Sequence, residues 1–171
     1  MESKQIMNQF KENALYRIDE STRMIEKSIA EITERELWQK PNESLNSIGN
    51  LILHLCGNMT QYVISSLGNE PDTRNREEEF TAVGGYSKNE LFQKLTATVH
   101  KVKNTIAAAS MEELQKNRQV QGFTLSGVGI IIHVVEHYSY HTGQIAFWVK
   151  LMRNESLGFY DGFNLNMKNE A

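Results

Sequence analysis

Three of the five histidines of the chain follow one another at intervals of four residues: His133, His137 and His141. In an α-helix, a step of four residues advances about 40° beyond a full turn, so the three imidazoles lie on one face. Imidazole is the commonest metal ligand in proteins because its neutral form offers a nitrogen lone pair near neutral pH. The ladder therefore predicts a metal site, with a hydrogen-bonded ladder in the core as the alternative.

A fourth histidine, His54, lies in the middle of an apolar stretch, SIGNLILHLCGNMTQYVISSL. Asn50 and Asn58 lie one helical turn before and after it, so the three side chains form a polar seam. Each would cost about 1–3 kcal/mol if it were buried without a hydrogen bond, and the seam must therefore face a polar site or itself. Cys56 points about 200° away from His54, which favours core packing for the thiol.

Two motifs overlap on the histidine ladder. HVVEH at 133–137 matches the H-x-x-E-H pattern of inverted zinc peptidases, with Glu136 as general base. That pattern needs a further ligand well downstream, and few residues remain. HYSYH at 137–141 instead provides a chelating pair, to which His54 adds a third nitrogen from another helix. Three protein ligands leave a coordination position for water or substrate, which is typical of catalytic metal sites.

Four long amphipathic segments carry these residues. Their apolar residues recur at steps of three and four, which predicts helices that share a core. The segments run over residues 3–34, 47–67, 87–109 and 126–153. Ser47 and the Ser87/Glu90 pair are predicted N-terminal caps, and His100 is assigned to the surface. The pattern predicts an all-α fold, an antiparallel four-helix bundle.

The connections between these helices are polar. Residues 37–44 contain Pro41, which ends helical structure, and a polar stretch leads to Gln121 before the last helix. Residues 69–86 are unusually long for a connection, and they predict either a solvated loop or a lid over a pocket. The tail, about 155–171, is expected to pack on the bundle through its aromatic residues.

Length and composition restrict the class of protein. With 171 residues the chain fits one domain, 1–171. The formal charge is −3 and no basic stripe occurs, which argues against nucleic acid as a partner. Apolar runs are far shorter than the roughly 20 residues of a membrane span. A single cysteine excludes an internal disulfide, and the start has no apolar signal core, so we expect a cytoplasmic protein.

Two stretches, NLILHLCGN at 50–58 and HVVEHYSYHTGQI at 133–145, together resemble the DinB-like (DinB/YfiT) superfamily of bacterial four-helix-bundle metalloproteins. The resemblance spans most of the chain. It implies a divalent metal, zinc or nickel, bound by a triad that consists of His54, His137 and His141. His133 would then support the site from one turn away. The common H-x-x-x-H-R-G-Q form has arginine where this chain has Thr142. Any anion-binding role that this arginine plays in other members is therefore not expected here.

The resemblance also implies an activity and a homodimer. Characterised relatives transfer a low-molecular-weight thiol such as bacillithiol to a small electrophilic substrate, and a bound cation favours this reaction because it lowers the thiol pKa from about 8.5. The same triad could activate water for hydrolysis, with Glu136 as proton acceptor. A structural or sensory metal without turnover is the third alternative.

Several other residues are candidates for smaller roles. Metal-bound histidines usually donate their second N–H to an oxygen, and Asn50, Asn58 and Glu136 are available partners. Gln144 shares the face of the pair and could donate to a bound ligand or to His141, with plain packing as the alternative. Gly143 lies within a helix at a cost of about 1 kcal/mol relative to alanine, which indicates close helix packing. Phe147 and its neighbour Trp148 are predicted to line a pocket or the homodimer surface.

Overall fold

The structure of the protein is a computed structural model that describes residues 2–169. Its elements are α1 (Glu2–Ala30), α2 (Glu34–Trp38), α3 (Ile48–Met59) with a π-helical continuation (Thr60–Leu67), α4 (Arg76–Thr81), α5 (Lys88–Ala108), α6 (Met111–Gln115), β1 (Asn117–Val120), β2 (Phe123–Ser126) and α7 (Gly127–Arg153). The long helices α1, α3, α5 and α7 are the four predicted segments. The predicted all-α four-helix bundle is confirmed.

Hydrogen bonds between α1 and α7 show that these two helices run in the same direction. The hydroxyls of Thr22 and Tyr138 lie 2.8 Å apart, and further along both helices Arg153 Nε donates to the carbonyl of Glu31 at 2.5 Å. Tyr138 is 1% exposed, so the first of these bonds lies within the core. In contrast, α3 runs antiparallel to α7, and this pairing brings the middle of α3 against the histidine ladder.

The helices α3 and α5 also run in the same direction. Cys56 and Thr98 line the same cavity between the two helices, and at the end of α3 a Cβ on Gly68 would lie 3.0 Å from Thr105 Cγ2. The C-terminal end of α3 lies beside the C-terminal half of α5. The chain must therefore run back along the bundle to the point where α5 begins. Cys56 is buried in the core as predicted, and burial raises the pKa of its thiol to about 12.

The connection 69–86 makes this return along α3. Near its start, Asp72 accepts a hydrogen bond from Gln61 at 2.8 Å, and near its end the carbonyl of Ala82 accepts one from Asn50 at 2.8 Å. The short helix α4 lies between these two contacts. The segment, here called the covering segment, therefore packs along α3 through a few side chains while most of its residues are exposed. The predicted lid over a pocket stays a prediction.

Two helix boundaries differ from the prediction. α1 ends at Ala30 instead of residue 34, because Thr33 and Glu36 form a capping box that begins α2. The second long helix, predicted as one α-helix, becomes π-helical from Thr60 onward and ends before Gly68 as expected. The π-helical turns follow directly after Met59, the last residue of α3.

The polar stretch before α7 forms a β-hairpin that the sequence analysis did not predict. β1 and β2 pair antiparallel, and Gln121 and Gly122 at the turn both have positive φ, 51° and 83°. Two positive φ values in sequence are typical of a tight hairpin turn, but glutamine is not a common residue there. The hairpin leads directly to Ser126, which caps α7.

The tail lies against α1 through its first residues. Arg23 Nη1 donates to the carbonyl of Phe159 at 2.8 Å and Lys27 Nζ to that of Gly158 at 2.6 Å, while Phe163 is exposed. Residues 170 and 171 of the predicted tail, and Met1 of the predicted domain, lie outside the described residues. Over residues 2–169, no helix combines the length and the apolar character that crossing a membrane requires.

Candidate metal centre

The ladder on α7 faces α3, and the structure brings three imidazoles from the two helices together. His54 in α3 is 7% exposed, and its Nε2 lies 3.1 Å from Nε2 of His137. The ring centroids of His54 and His141 are 5.1 Å apart. One nitrogen from each of the three histidines lies within 4.8 Å of the others, so the cluster could hold a metal ion.

Hydrogen bonds at the outer edges of two rings assign their tautomers. His54 Nδ1 lies 2.8 Å from Glu79 Oε2, and His141 Nδ1 lies 2.7 Å from Gln144 Oε1. Both partners are oxygen acceptors, so each Nδ1 carries the proton and donates. The Nε2 lone pairs of the two rings are then free to bind a cation.

The close approach of two imidazole nitrogens needs either a hydrogen bond or a metal ion between them. If both Nε2 atoms of His54 and His137 carry lone pairs, they repel at 3.1 Å. A proton or a metal ion removes this repulsion. In a tetrahedral zinc site with Zn–N bonds of about 2.0–2.1 Å, neighbouring nitrogens are about 3.3 Å apart. The observed distance fits such a site.

Burial keeps the imidazoles of α7 neutral. The pKa of His137 is lowered to about 3, first because the ring is removed from water and then because of the neighbouring His141 and His54. Burial also lowers the pKa of His141 and of His133. Protons compete with metal ions for the same lone pair, so a low pKa favours metal binding at neutral pH.

His133 does not belong to the cluster of three. Its Nε2 accepts a hydrogen bond from Asn58 at 3.2 Å, and its ring stacks on Tyr62 with centroids 4.1 Å apart. The ring also lies 5.5 Å from that of His137, centroid to centroid. His133 thus lies beside the cluster without a hydrogen bond to it, and its supporting role stays a prediction.

The other predicted candidates have different places. Gln144 accepts the hydrogen bond from His141 described above. The side chain of Asn50 makes no hydrogen bond to the triad. Its amide donates to the carbonyls of Glu79 and Ala82 at 3.0 and 2.8 Å, so it anchors the covering segment 69–86 to α3. Glu136 is exposed, which leaves its predicted role as a proton acceptor without support.

The acceptor for His54 is a residue that sequence reasoning missed. Glu79 lies in α4, and its carboxylate is paired with Arg74, which is 2% exposed. Burial opposes the charge on Glu79, but the hydrogen bonds from Arg74 and His54 outweigh it and lower the pKa of the carboxyl. The charged run REEEF at 76–80 is typical of a solvated surface, which is why Glu79 was not predicted as a site residue. The one signal in the sequence that this run packs on the bundle was the apolar Phe80.

Thr142, which stands where the superfamily pattern has arginine, faces the core. Thr142 is 3% exposed, and its hydroxyl donates to the carbonyl of Tyr138 at 2.7 Å. A threonine that bonds within its own helix supplies no charge to a bound anion.

A cavity with polar residues in its lining lies on another side of α3. This cavity, of about 380 Å³, is lined by residues of α3, α5 and the covering segment, including Cys56, Lys94 and Tyr86. None of the three clustered imidazoles lines it. The buried pair Arg74/Glu79 forms one of its walls and separates it from the cluster.

The fold and the histidine cluster define a DinB-like helical bundle with a candidate metal centre. The chain is similar to a DinB-like protein (YjoA) from Bacillus subtilis, with 18% identity and a TM-score of 0.65 over 89% of this chain and 96% of that one. It is also similar to a conserved protein from Enterococcus faecalis, with 16% identity and a TM-score of 0.72 over 84% and 97%. These structures share the fold and, together with the family model that matches residues 5–159, they support the predicted DinB-like superfamily.

A family model described as a protein of unknown function (DUF1572) matches residues 5–159, and the chain belongs to this family. No curated protein matches the chain.

Proposed function

We propose that this protein is a divalent-metal-dependent transferase that moves a low-molecular-weight thiol onto a small electrophile. The observation that carries the proposal is the cluster itself: His54, His137 and His141 present nitrogens within 4.8 Å of one another. Two of the three rings are only half-buried, so a small molecule can approach the centre from solvent. Zinc and nickel are the favoured ions, since imidazole nitrogen suits both.

The chain does not supply the thiol for this reaction. Cys56, its single cysteine, is buried in the core, and burial raises the pKa of its thiol. A reactive cysteine needs partial exposure and a lowered pKa. The nucleophile must therefore come from the substrate side, as a small-molecule thiol.

The reaction joins the thiol sulfur to carbon. A divalent cation held by His54, His137 and His141 would lower the pKa of a thiol, so that the S–H proton would pass to solvent near neutral pH. The sulfur then forms an S–C bond with the electrophile, and the leaving group, such as chloride, departs with the electron pair of its bond to carbon. The protein contributes three imidazoles, of which that of His54 is held by Glu79 and that of His141 by Gln144.

Hydrolysis by the same centre has less support. It needs a carboxylate or another base near the open side of the cluster. Within residues 2–169, the carboxylate that bonds to the triad is that of Glu79, which lies at Nδ1 of His54 and is paired with Arg74. Glu136 is exposed to solvent.

Turnover experiments test the proposal directly. Protein purified without an affinity tag and loaded with zinc or nickel is incubated with bacillithiol or cysteine and a chloro-nitro-aromatic acceptor, and the thioether is measured. We expect a rate above that of the metal-loaded His54→Ala variant. Equal rates would count against the transferase.

The same preparations separate the alternatives. Ester or amide cleavage that is insensitive to added thiol would indicate a hydrolase. A large fall in melting temperature with a chelator, together with no turnover in either assay, would indicate a structural or sensory metal.

A further inference from the structure

We propose that Glu79, held by Arg74, is a positioning residue that fixes the ring of His54 and selects the nitrogen that this ring presents to the metal. The inference rests on the proposed function in one respect, since it assumes that the triad binds an ion. It assigns a role to the covering segment 69–86, which otherwise only connects two helices.

The first support is the geometry of the carboxylate. Glu79 Oε2 lies 2.8 Å from His54 Nδ1, while Arg74 donates from Nε to Oε1 at 2.7 Å and from Nη2 to Oε2 at 2.8 Å. Such a two-pronged pair fixes both the position and the plane of the carboxylate. Arg74 Nη1 also donates to Gln61 Oε1 at 2.9 Å, which anchors the guanidinium to α3.

The second support is burial. The side chains of Arg74 and Glu79 are 2% and 8% exposed, so water cannot easily replace either partner. Arg74 Nη2 also lies 3.2 Å from His54 Nδ1, but an arginine has no acceptor, and a protonated Nδ1 cannot accept. The carboxylate is therefore the partner that both donors share.

The third support is the shape of α3 beside the pair. A Cβ on Gly57 would lie 1.8 Å from Glu79 Oε1 and 2.9 Å from Arg74 Nε. Glycine inside a helix costs about 1 kcal/mol relative to alanine, and here it leaves the space that the pair occupies. Phe80, the next residue of α4, packs on the ring of His54 with centroids 4.7 Å apart.

Glu79 acts through His54 and is not itself a metal ligand. It bonds to Nδ1, whereas Nε2 of the same ring faces His137 at 3.1 Å. The carboxylate thus lies behind the imidazole. A partner of this kind holds the proton on Nδ1, keeps Nε2 free and makes it a better donor to a metal.

The test compares metal binding by two variants of α4. Glu79→Gln removes the charge of the positioning residue, and Glu77→Gln makes the same change at an exposed position of the same helix. Co²⁺ is the spectroscopic probe and Zn²⁺ competes for it, with dissociation constants measured against a chromophoric chelator. We expect Glu79→Gln to raise the dissociation constant about 10–100-fold and to alter the visible Co²⁺ spectrum, whereas Glu77→Gln changes neither.

A second variant keeps the test decisive if Glu79→Gln does not fold. Gly57→Ala retains the carboxylate but displaces it, and we expect weaker Co²⁺ binding in the same direction. Circular dichroism of the metal-free variants shows whether the fold is unchanged.

The outcomes for this inference and for the proposed function differ. If Glu79→Gln and Gly57→Ala bind Co²⁺ as tightly as Glu77→Gln while His54→Ala does not bind it, the positioning role is overturned and the metal centre stands. If the wild-type protein binds no Co²⁺ or Zn²⁺ at one equivalent, the metal centre fails, and this inference fails with it.

Discussion

The two helices that supply the cluster hold their histidines in different ways. On α3, His54 is buried, hydrogen bonded to a charged pair and packed by Phe80. On α7, His137 and His141 are half-buried. The partner of His141 is an exposed residue of its own helix, and Nδ1 of His137 is buried without a hydrogen-bond partner in the described part of the chain.

This contrast divides the centre into a closed side and an open side. The closed side consists of α3 with the covering segment 69–86, and the open side consists of the half-exposed rings of α7. Preorganised ligands on one side and access on the other are what a catalytic metal site requires, because one position must exchange. The following predictions test whether the two sides differ as described.

The largest effect is expected from the loss of a ligand on the open side. The ring of His137 lies 4.9 Å from that of His54 and 4.5 Å from that of His141, centroid to centroid, and His137→Ala removes one of the three clustered nitrogens. We expect the dissociation constant for Zn²⁺ to rise by at least about 100-fold, since the loss of a supporting partner alone costs about 10–100-fold. Elemental analysis after dialysis measures it, with His100→Ala at an exposed position as the control. Zinc retained at one equivalent would contradict the assignment.

Removing the arginine on the closed side should affect stability without metal. Arg74→Met leaves the carboxylate of Glu79 buried and unpaired, which costs about 3–5 kcal/mol in the free energy of unfolding. Denaturant unfolding of the metal-free protein measures this loss.

The matched control for this variant is Arg35→Met, at an exposed position in α2. The double variant Arg74→Met/Glu79→Leu removes both charges and should recover most of the lost stability. A loss no larger than that of Arg35→Met would show that the pair does not hold the covering segment.

A smaller effect is expected from the acceptor on the open side. Gln144 is exposed, so water can take its place as the acceptor for His141 Nδ1. We expect Gln144→Leu to raise the Zn²⁺ dissociation constant by less than about 10-fold, below the range for a buried partner. An effect as large as that of Glu79→Gln would remove the distinction between the two sides.

The smallest effect on stability is expected on the outer face of α7, where a stripe of exposed apolar residues lies: Ile132, Tyr140, Phe147 and Leu151. A Cβ on Gly143 would meet no atom of the described chain within 4 Å, so the close packing predicted at this glycine does not occur inside the chain.

The homodimer stays a prediction, and this stripe is the surface on which to test it. Phe147→Glu should change the free energy of unfolding of a monomer by less than about 0.5 kcal/mol, but it should convert a dimer to a monomer in light scattering. Gln93→Glu, at an exposed position of α5, is the control. A wild-type protein of monomeric mass would contradict the homodimer.

Local patterns in the sequence were enough to predict the helices and the ladder. Apolar residues at steps of three and four identify a helix wherever it packs, and histidines four apart share a face in any helix. The caps at Ser47 and Ser87 followed for the same reason, because a cap bonds to its own first turn.

The parts that were missed depend on neighbours distant in sequence. The hairpin at 117–126 lacks a typical turn sequence, and the π-helical end of α3 has no local signal that we recognise. The charged run at 76–79 reads as solvated because nothing within it shows that one carboxylate turns inward.

The sequence by itself determined which residues carry imidazoles and that those of α7 lie on one helical face, since both follow from identity and spacing. The tertiary structure decided that Glu79 and Arg74 complete the site. Because α3 and α5 run in the same direction, the connection between them must return along α3. That return path, which no local pattern encodes, places a buried carboxylate behind His54.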